Sequence, residues 1–229
     1  MDNAYGKTLR KLYQIKDEKY AEFSSKIANS NYPLIGIRIP ILRKIANELL
    51  KGKYFEYLKN CQFTCFEDTL LFGLIVAKLE NKDFLEFLPI YLKNADSWSH
   101  IDSFVASINF VNKNKEQFLT FIKNNIEGAE GFELRFYLVA LMTFYLDEEN
   151  LSYIFSTCER FDEKGYYNDM AIAWLISVAF VKFKEKTFEF IKNCKLSNFT
   201  LNKSISKIND SFRVTKESKT LLKNYYRKK

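Results

Sequence analysis

An all-α fold is what this sequence predicts, on three observations. Apolar residues recur at helical spacing from one end to the other, separated by short polar breaks. Only 7 glycines and 3 prolines occur in 229 residues, too few for the many turns of a sandwich or barrel. The hydrophobic share is 47%, with 22 Phe and 14 Tyr, which supplies a large core and excludes global disorder.

The amphipathic segments follow in order. The first is expected over about 5–29, ending in the Asn-Ser-Asn-Tyr-Pro cluster at 29–33. After Pro40, Leu42, Ile45, Ala46 and Leu49 form one stripe, with Arg43, Lys44 and Lys51 off it. Further helices are expected at 53–60, 66–80, 82–94, 98–112, 114–126, 132–146, 148–161, 166–182, 184–194 and 200–209, with a basic one near 215–227. Taken two at a time they give units 38–60, 66–94, 98–126, 132–161 and 166–194. Starting every 28 to 34 residues, such units suit antiparallel HEAT-like helix pairs, stacked in a superhelical solenoid with a long concave face. No composition shift marks a boundary, so residues 1–229 are expected to form a single domain with a basic tail over about 223–229. Tyr5, Tyr13, Phe55, Phe118 and Phe188 fall at helical spacings and are read as core.

Composition narrows the chemistry. A single histidine, His100, leaves little room for histidine-based metal sites or a serine–histidine triad, and it is read as a surface residue. Cys61, Cys65, Cys158 and Cys194 lack a paired zinc-ligand spacing and read as reduced structural thiols. The start, Met-Asp-Asn-Ala-Tyr-Gly-Lys, has no apolar signal core, and the run 170–181 is too short to span a bilayer; a cytoplasmic protein with no membrane partner is expected.

Lys+Arg 35 against Asp+Glu 28 leaves a net charge of +7. Arg38, Arg43 and Lys44 cluster at one helix start; Lys203 and Lys207 share a helix face, followed by Arg213, Lys216, Lys219, Lys223, Arg227, Lys228 and Lys229. Such clusters suit phosphate neutralisation along a nucleic acid, and equally a solvated face.

Certain stretches go beyond composition: Tyr-Pro-Leu-Ile-Gly-Ile-Arg-Ile-Pro-Ile-Leu-Arg-Lys-Ile-Ala at 32–46, Ser-Trp-Ser-His-Ile-Asp-Ser-Phe at 97–104, Phe-Glu-Leu-Arg-Phe at 132–136, Ala-Ile-Ala-Trp-Leu at 171–175, and Leu-Asn-Lys-Ser-Ile-Ser-Lys-Ile-Asn-Asp-Ser-Phe-Arg-Val at 201–214. In this order they resemble the DNA alkylation repair enzyme family, the AlkD-like HEAT-repeat DNA glycosylases. The resemblance implies a C-shaped solenoid holding duplex DNA in its concavity and cleaving the N-glycosidic bond of cationic N3- and N7-alkylated purines, without obligatory base flipping. It implies no metal and no organic cofactor, and a monomer is expected. Carried onto this chain, it makes Asp102 the catalytic carboxylate, Trp98 and Trp174 the aromatic walls and Arg135 a supporting cation. Ile27 stands where the family's prototype has a tyrosine, counting back from Gly36. Two other functions stay open: a non-catalytic module for distorted or branched DNA, and a protein-interaction scaffold.

The residues themselves support a carboxylate beside an indole. Trp98 and Asp102 are four positions apart and project from one helical face. Asp102 lies about 100° from Ile101, at the edge of the stripe Ile101, Phe104, Val105 and Ile108. Departure of a cationic base develops positive charge at the anomeric carbon, which a carboxylate stabilises without a second acid.

Overall fold

The computed structural model describes residues 3–228, and among them there are fourteen α-helices and no strand. The chain is all-α, as the periodicity predicts. It gathers into two compact units, one running to Phe118 and one beginning at Leu119.

The first unit contains α1 (Ala4–Gln14), α2 (Glu18–Ala28), α3 (Ile39–Leu50), α4 (Tyr54–Asn60), α5 (Phe66–Val76), α6 (Asn81–Asn94) and α7 (Trp98–Val105). Its axis is α5, all eleven residues of which are buried, as a helix apolar on every side must be. It packs against α3, α6 and α7. Two acids interrupt its apolar run, and both are buried and satisfied. Glu67 accepts the backbone N–H groups of Ile35 (3.0 Å), Gly36 (2.7 Å) and Ile37 (3.1 Å). Asp68 accepts the phenols of Tyr5 (2.9 Å) and Tyr57 (2.7 Å) and the Thr64 N–H (3.1 Å).

Two glycines allow close approach. Gly36 has φ +88°, and a Cβ there would lie 2.0 Å from the Asp17 carbonyl oxygen. At Gly73 a Cβ would lie 2.5 Å from the Tyr91 ring, so only glycine lets α6 settle on α5.

The expected helix over 5–29 is two helices. Asp17 breaks it: its carboxylate caps α2 by accepting the Tyr20 N–H (3.0 Å), which requires extended backbone at Asp17 itself. The segment 98–112 is likewise shorter, because α7 stops at Val105 and a 3-10 turn, Phe110–Asn112, follows. That turn inserts Phe110 against Phe84, ring centroids 4.7 Å apart. Of the residues read as core, Tyr5 and Phe118 are buried and Phe188 half-buried, but Tyr13 and Phe55 are exposed at 46% and 43%. Helical spacing alone cannot tell the core stripe from its rim.

α8 (Lys115–Asn125) leads into the second unit, which holds α9 (Gly131–Phe144), α10 (Leu151–Arg160), α11 (Tyr166–Lys182), α12 (Lys184–Asn193), α13 (Asn198–Asp210) and α14 (Lys216–Leu222). Here α11 is the axis, packed against α9, α12 and α13. The basic segment 215–227 is not one helix: α14 ends at Leu222, a 3-10 turn spans Lys223–Tyr225, and the chain then folds back.

Candidate functional site

The end of α2 and the start of α7 build the site in the first unit. The last carbonyls of a helix have no partner within it, and those of α2 find theirs across the chain. Ile27 O accepts the Trp98 indole N–H (3.0 Å), and Ala28 O accepts the Ser97 hydroxyl (2.6 Å). Ser97 is also the N-cap of α7, accepting the Ser99 N–H. Asn29 turns the chain through left-handed backbone, after which the Ser30 hydroxyl and the Asn31 N–H both donate to Asp96 (2.6 Å each). Four of these hydrogen bonds join the end of α2 and the turn after it to the start of α7, and so fix where the Trp98 ring stands.

One turn further along α7 lies Asp102, half-buried, on the same face as Trp98. Ile101, Phe104 and Val105 are wholly buried, so Asp102 sits at the edge of the stripe, as the spacing predicts. Its negative charge reaches the buried Tyr91 phenol, held far above the usual tyrosine range mainly by burial and secondarily by Asp102. The Tyr91 hydroxyl donates to the His100 carbonyl (2.8 Å) and anchors α7 from beneath.

His100 is not a surface residue: it is fully buried, stacked on Phe66 with centroids 4.2 Å apart. Its Nε2 lies 3.0 Å from Phe66 O; that oxygen only accepts, so the hydrogen-bond network assigns the proton to Nε2. Burial lowers its pKa to about 4, against the opposing pull of the Phe66 carbonyl and Asp96, leaving a neutral imidazole at physiological pH. The sequence places His100 two positions from Asp102, which sets it off the Trp98–Asp102 face but does not make that direction solvent.

A cavity of about 190 Å³ opens beside Trp98, lined by Tyr20, Phe23, Ile27, Leu34 and Phe66 among others. Ile27 and Phe23 are exposed at 49% and 61%, so the site's flank is apolar where a hydroxyl-bearing side chain would be polar. Sequence reasoning missed Glu67, Asp68 and Asp96. The first two carried a signal, adjacent acids opening an otherwise apolar run; Asp96 carried none, because its partners lie about 65 residues away.

The remaining candidates divide by environment. In the first unit Arg38 is paired with Asp17 (2.9 Å) and lies over the Tyr20 ring (4.4 Å), while Arg43 and Lys44 are exposed on α3. In the second unit Arg135 is buried on α9 and donates to Tyr167 O (2.6 Å), which holds the start of α11. Trp174 projects from α11 at 37% exposure. On α13, Lys203 is exposed over the Phe199 ring (5.7 Å) and Lys207 is half-buried; Arg213 is exposed beyond it.

The basic tail is docked rather than frayed. Arg227 donates to the carbonyls of Leu196 (2.5 Å) and Cys194 (2.7 Å), and its backbone exchanges two hydrogen bonds with the Asn202 amide. Arg227 is thus committed within the protein; Lys229 lies outside the described residues. All four cysteines are free thiols, three of them buried. Burial, reinforced by Asp68, pushes Cys65 up to about 12 and Cys61 higher still. Among the described residues no group of three or more His, Cys, Asp and Glu could hold a metal ion, and no helix is long and apolar enough to cross a membrane.

The first unit of this all-helical, basic chain thus displays an indole and a carboxylate on one fixed helical face. Residues 8–208 match the family model of the DNA alkylation repair enzyme, and the chain belongs to that family. Membership carries a role in DNA alkylation repair. No curated protein matches the chain.

Proposed function

We propose that the protein is a monofunctional DNA glycosylase that hydrolyses the N-glycosidic bond of cationic N3- and N7-alkylated purines in duplex DNA. The observation that carries this reading is the half-buried Asp102 carboxylate one turn from Trp98, whose indole is held in place by Ile27 O. An alkylated purine already bears positive charge, so it departs as a neutral base with the bond's electron pair and needs no general acid. Positive charge then grows on the deoxyribose, where Asp102 stabilises it and orients the water that adds to C1′, losing its proton. Trp98 contacts the cationic nucleotide through its ring face, and the family resemblance gives Trp174 the part of a second aromatic wall. Arg135 acts by orienting, through its hold on Tyr167 O. Because the lesion is sensed by charge, the base need not be flipped into a pocket, a departure from the usual route of glycosylases.

In this reading residues 1–229 act as one DNA-binding domain, a monomer on its duplex, with Arg38, Arg43, Lys44, Lys203, Lys207 and Arg213 meeting phosphates. Incubation with methylated duplex DNA is expected to release free 7-methylguanine. Removing one phosphate-binding cation lowers the salt slope of binding by about 0.9, so replacing Lys203 and Lys207 together should lower it by nearly 2. A second reading rests on Ile27, an aliphatic side chain beside Trp98: binding to distorted or branched DNA with no base released would make the protein a recognition module.

A further inference from the structure

We propose that the turn at Phe212 and Arg213 is a wedge for duplex DNA: Phe212 inserts between neighbouring bases while Arg213 holds the adjoining phosphate. The inference rests on the reading that the partner is duplex DNA, and adds a way of deforming it.

Phe212 is 103% exposed, as open as in an extended peptide. The other exposed aromatic side chains keep part of their surface against the protein; the next most open are Phe23 at 61% and Tyr166 at 58%. A ring so displayed contributes nothing to the fold, and the apolar surface it presents to water is stabilised only by a partner.

The backbone beneath the ring is nonetheless held. Ser211 N–H donates to Ile208 O (3.2 Å), and the Ser211 hydroxyl accepts the Arg213 N–H (3.2 Å). Three residues on from Phe212, Thr215 caps α14 by accepting the Ser218 N–H (3.3 Å). Ile208 on one side and Ser218 and Leu222 on the other are buried. The turn is therefore clamped at both ends, which lowers the entropy lost when a partner seats on it.

Charge selects the partner. From Asp210 to Lys219 the chain carries three cations, Arg213, Lys216 and Lys219, against two carboxylates, Asp210 and Glu217. Glu217 is engaged at the α14 start, its carboxyl lowered by its own backbone N–H and the Thr215 hydroxyl. The fully exposed Phe212 ring is followed directly by the exposed Arg213. This pair fits stacked bases between phosphates, where apolar wedges unstack a step and kink the duplex.

The test is a short duplex in which 2-aminopurine, a base whose fluorescence rises on unstacking, is moved position by position. The wild-type protein is expected to raise the fluorescence at one or two adjoining positions. Phe212→Ala should abolish the rise and weaken duplex affinity at least about fivefold, whereas Phe212→Trp should retain both. Since Phe212 is fully exposed, these variants are expected to keep the wild-type melting temperature. Duplex binding by the wild type with no probe position unstacked, or a Phe212→Ala protein indistinguishable from it, overturns the wedge. Base release with an unaffected Phe212→Ala sinks the wedge alone; unstacking without base release sinks the glycosylase reading alone; and no duplex binding at all sinks both.

Discussion

Trp98 donates its indole N–H to the carbonyl of Ile27, 71 residues earlier in the chain, at 3.0 Å. The bond ties the one tryptophan of the first unit to the last turn of α2, where backbone carbonyls lack partners within the helix. Trp98→Phe keeps an aromatic ring but removes the donor. The cost is about 0.5–1.5 kcal/mol, because water can reach the freed carbonyl. A thermal melt should fall by roughly 2–4 °C for each kcal/mol lost; an unchanged melt would mean the bond is idle.

Asp102→Asn tests the chemistry with almost no change of shape. Fold and duplex affinity should be retained while release of 7-methylguanine slows by roughly 10²–10³, the usual effect of removing one such electrostatic contact. Single-turnover rates at saturating protein separate this from a binding defect. Equal rates in wild type and variant would remove Asp102 from the mechanism.

Glu67→Gln is expected to destabilise strongly. The carboxylate accepts three backbone N–H groups, and an amide offers one oxygen while pointing its own N–H groups at donors. Leaving a buried donor unmet costs about 1–3 kcal/mol, with the donor–donor conflict added. Urea unfolding should show a lower midpoint with an unchanged slope.

His100 makes stability depend on pH. Its folded pKa, about 4, lies below the unfolded value of 6.5. Between those values the unfolded chain binds the extra proton, so the contribution is complete above about pH 6.5 and is lost as pH falls toward 4. The loss approaches 1.4 kcal/mol per pH unit within that window. Subtracting the urea-derived profile of His100→Gln isolates it from the carboxylates; parallel profiles would contradict the buried, neutral imidazole.

Many helices were legible from the spacing and the breaks between segments: α11 spans the expected 166–182, α12 ends within one residue of 184–194, and the stripe Leu42, Ile45, Ala46 and Leu49 is the buried face of α3. The misplaced ends have local competitors. Asp17 caps where the stripe would continue, and Phe110 leaves the helix to fill a gap beside Phe84. At the site, the Trp98–Asp102 face was readable since both residues share one helix. The Ile27, Asp96 and Glu67 connections were not, because periodicity says which way a side chain points along its own helix and nothing about the segment that arrives there.

Adjacent residues on a helix point about 100° apart, and Glu67 and Asp68 use that angle to grip different parts of the chain. One secures Ile35, Gly36 and Ile37; the other secures Tyr5, Tyr57 and Thr64. The strand-less stretch before α3 is therefore a loop only in outline. Its amides at 35–37 open to solvent only when α5 itself lets go, so they should trade hydrogen for deuterium on the timescale of global unfolding, alongside the core helices rather than the surface turns.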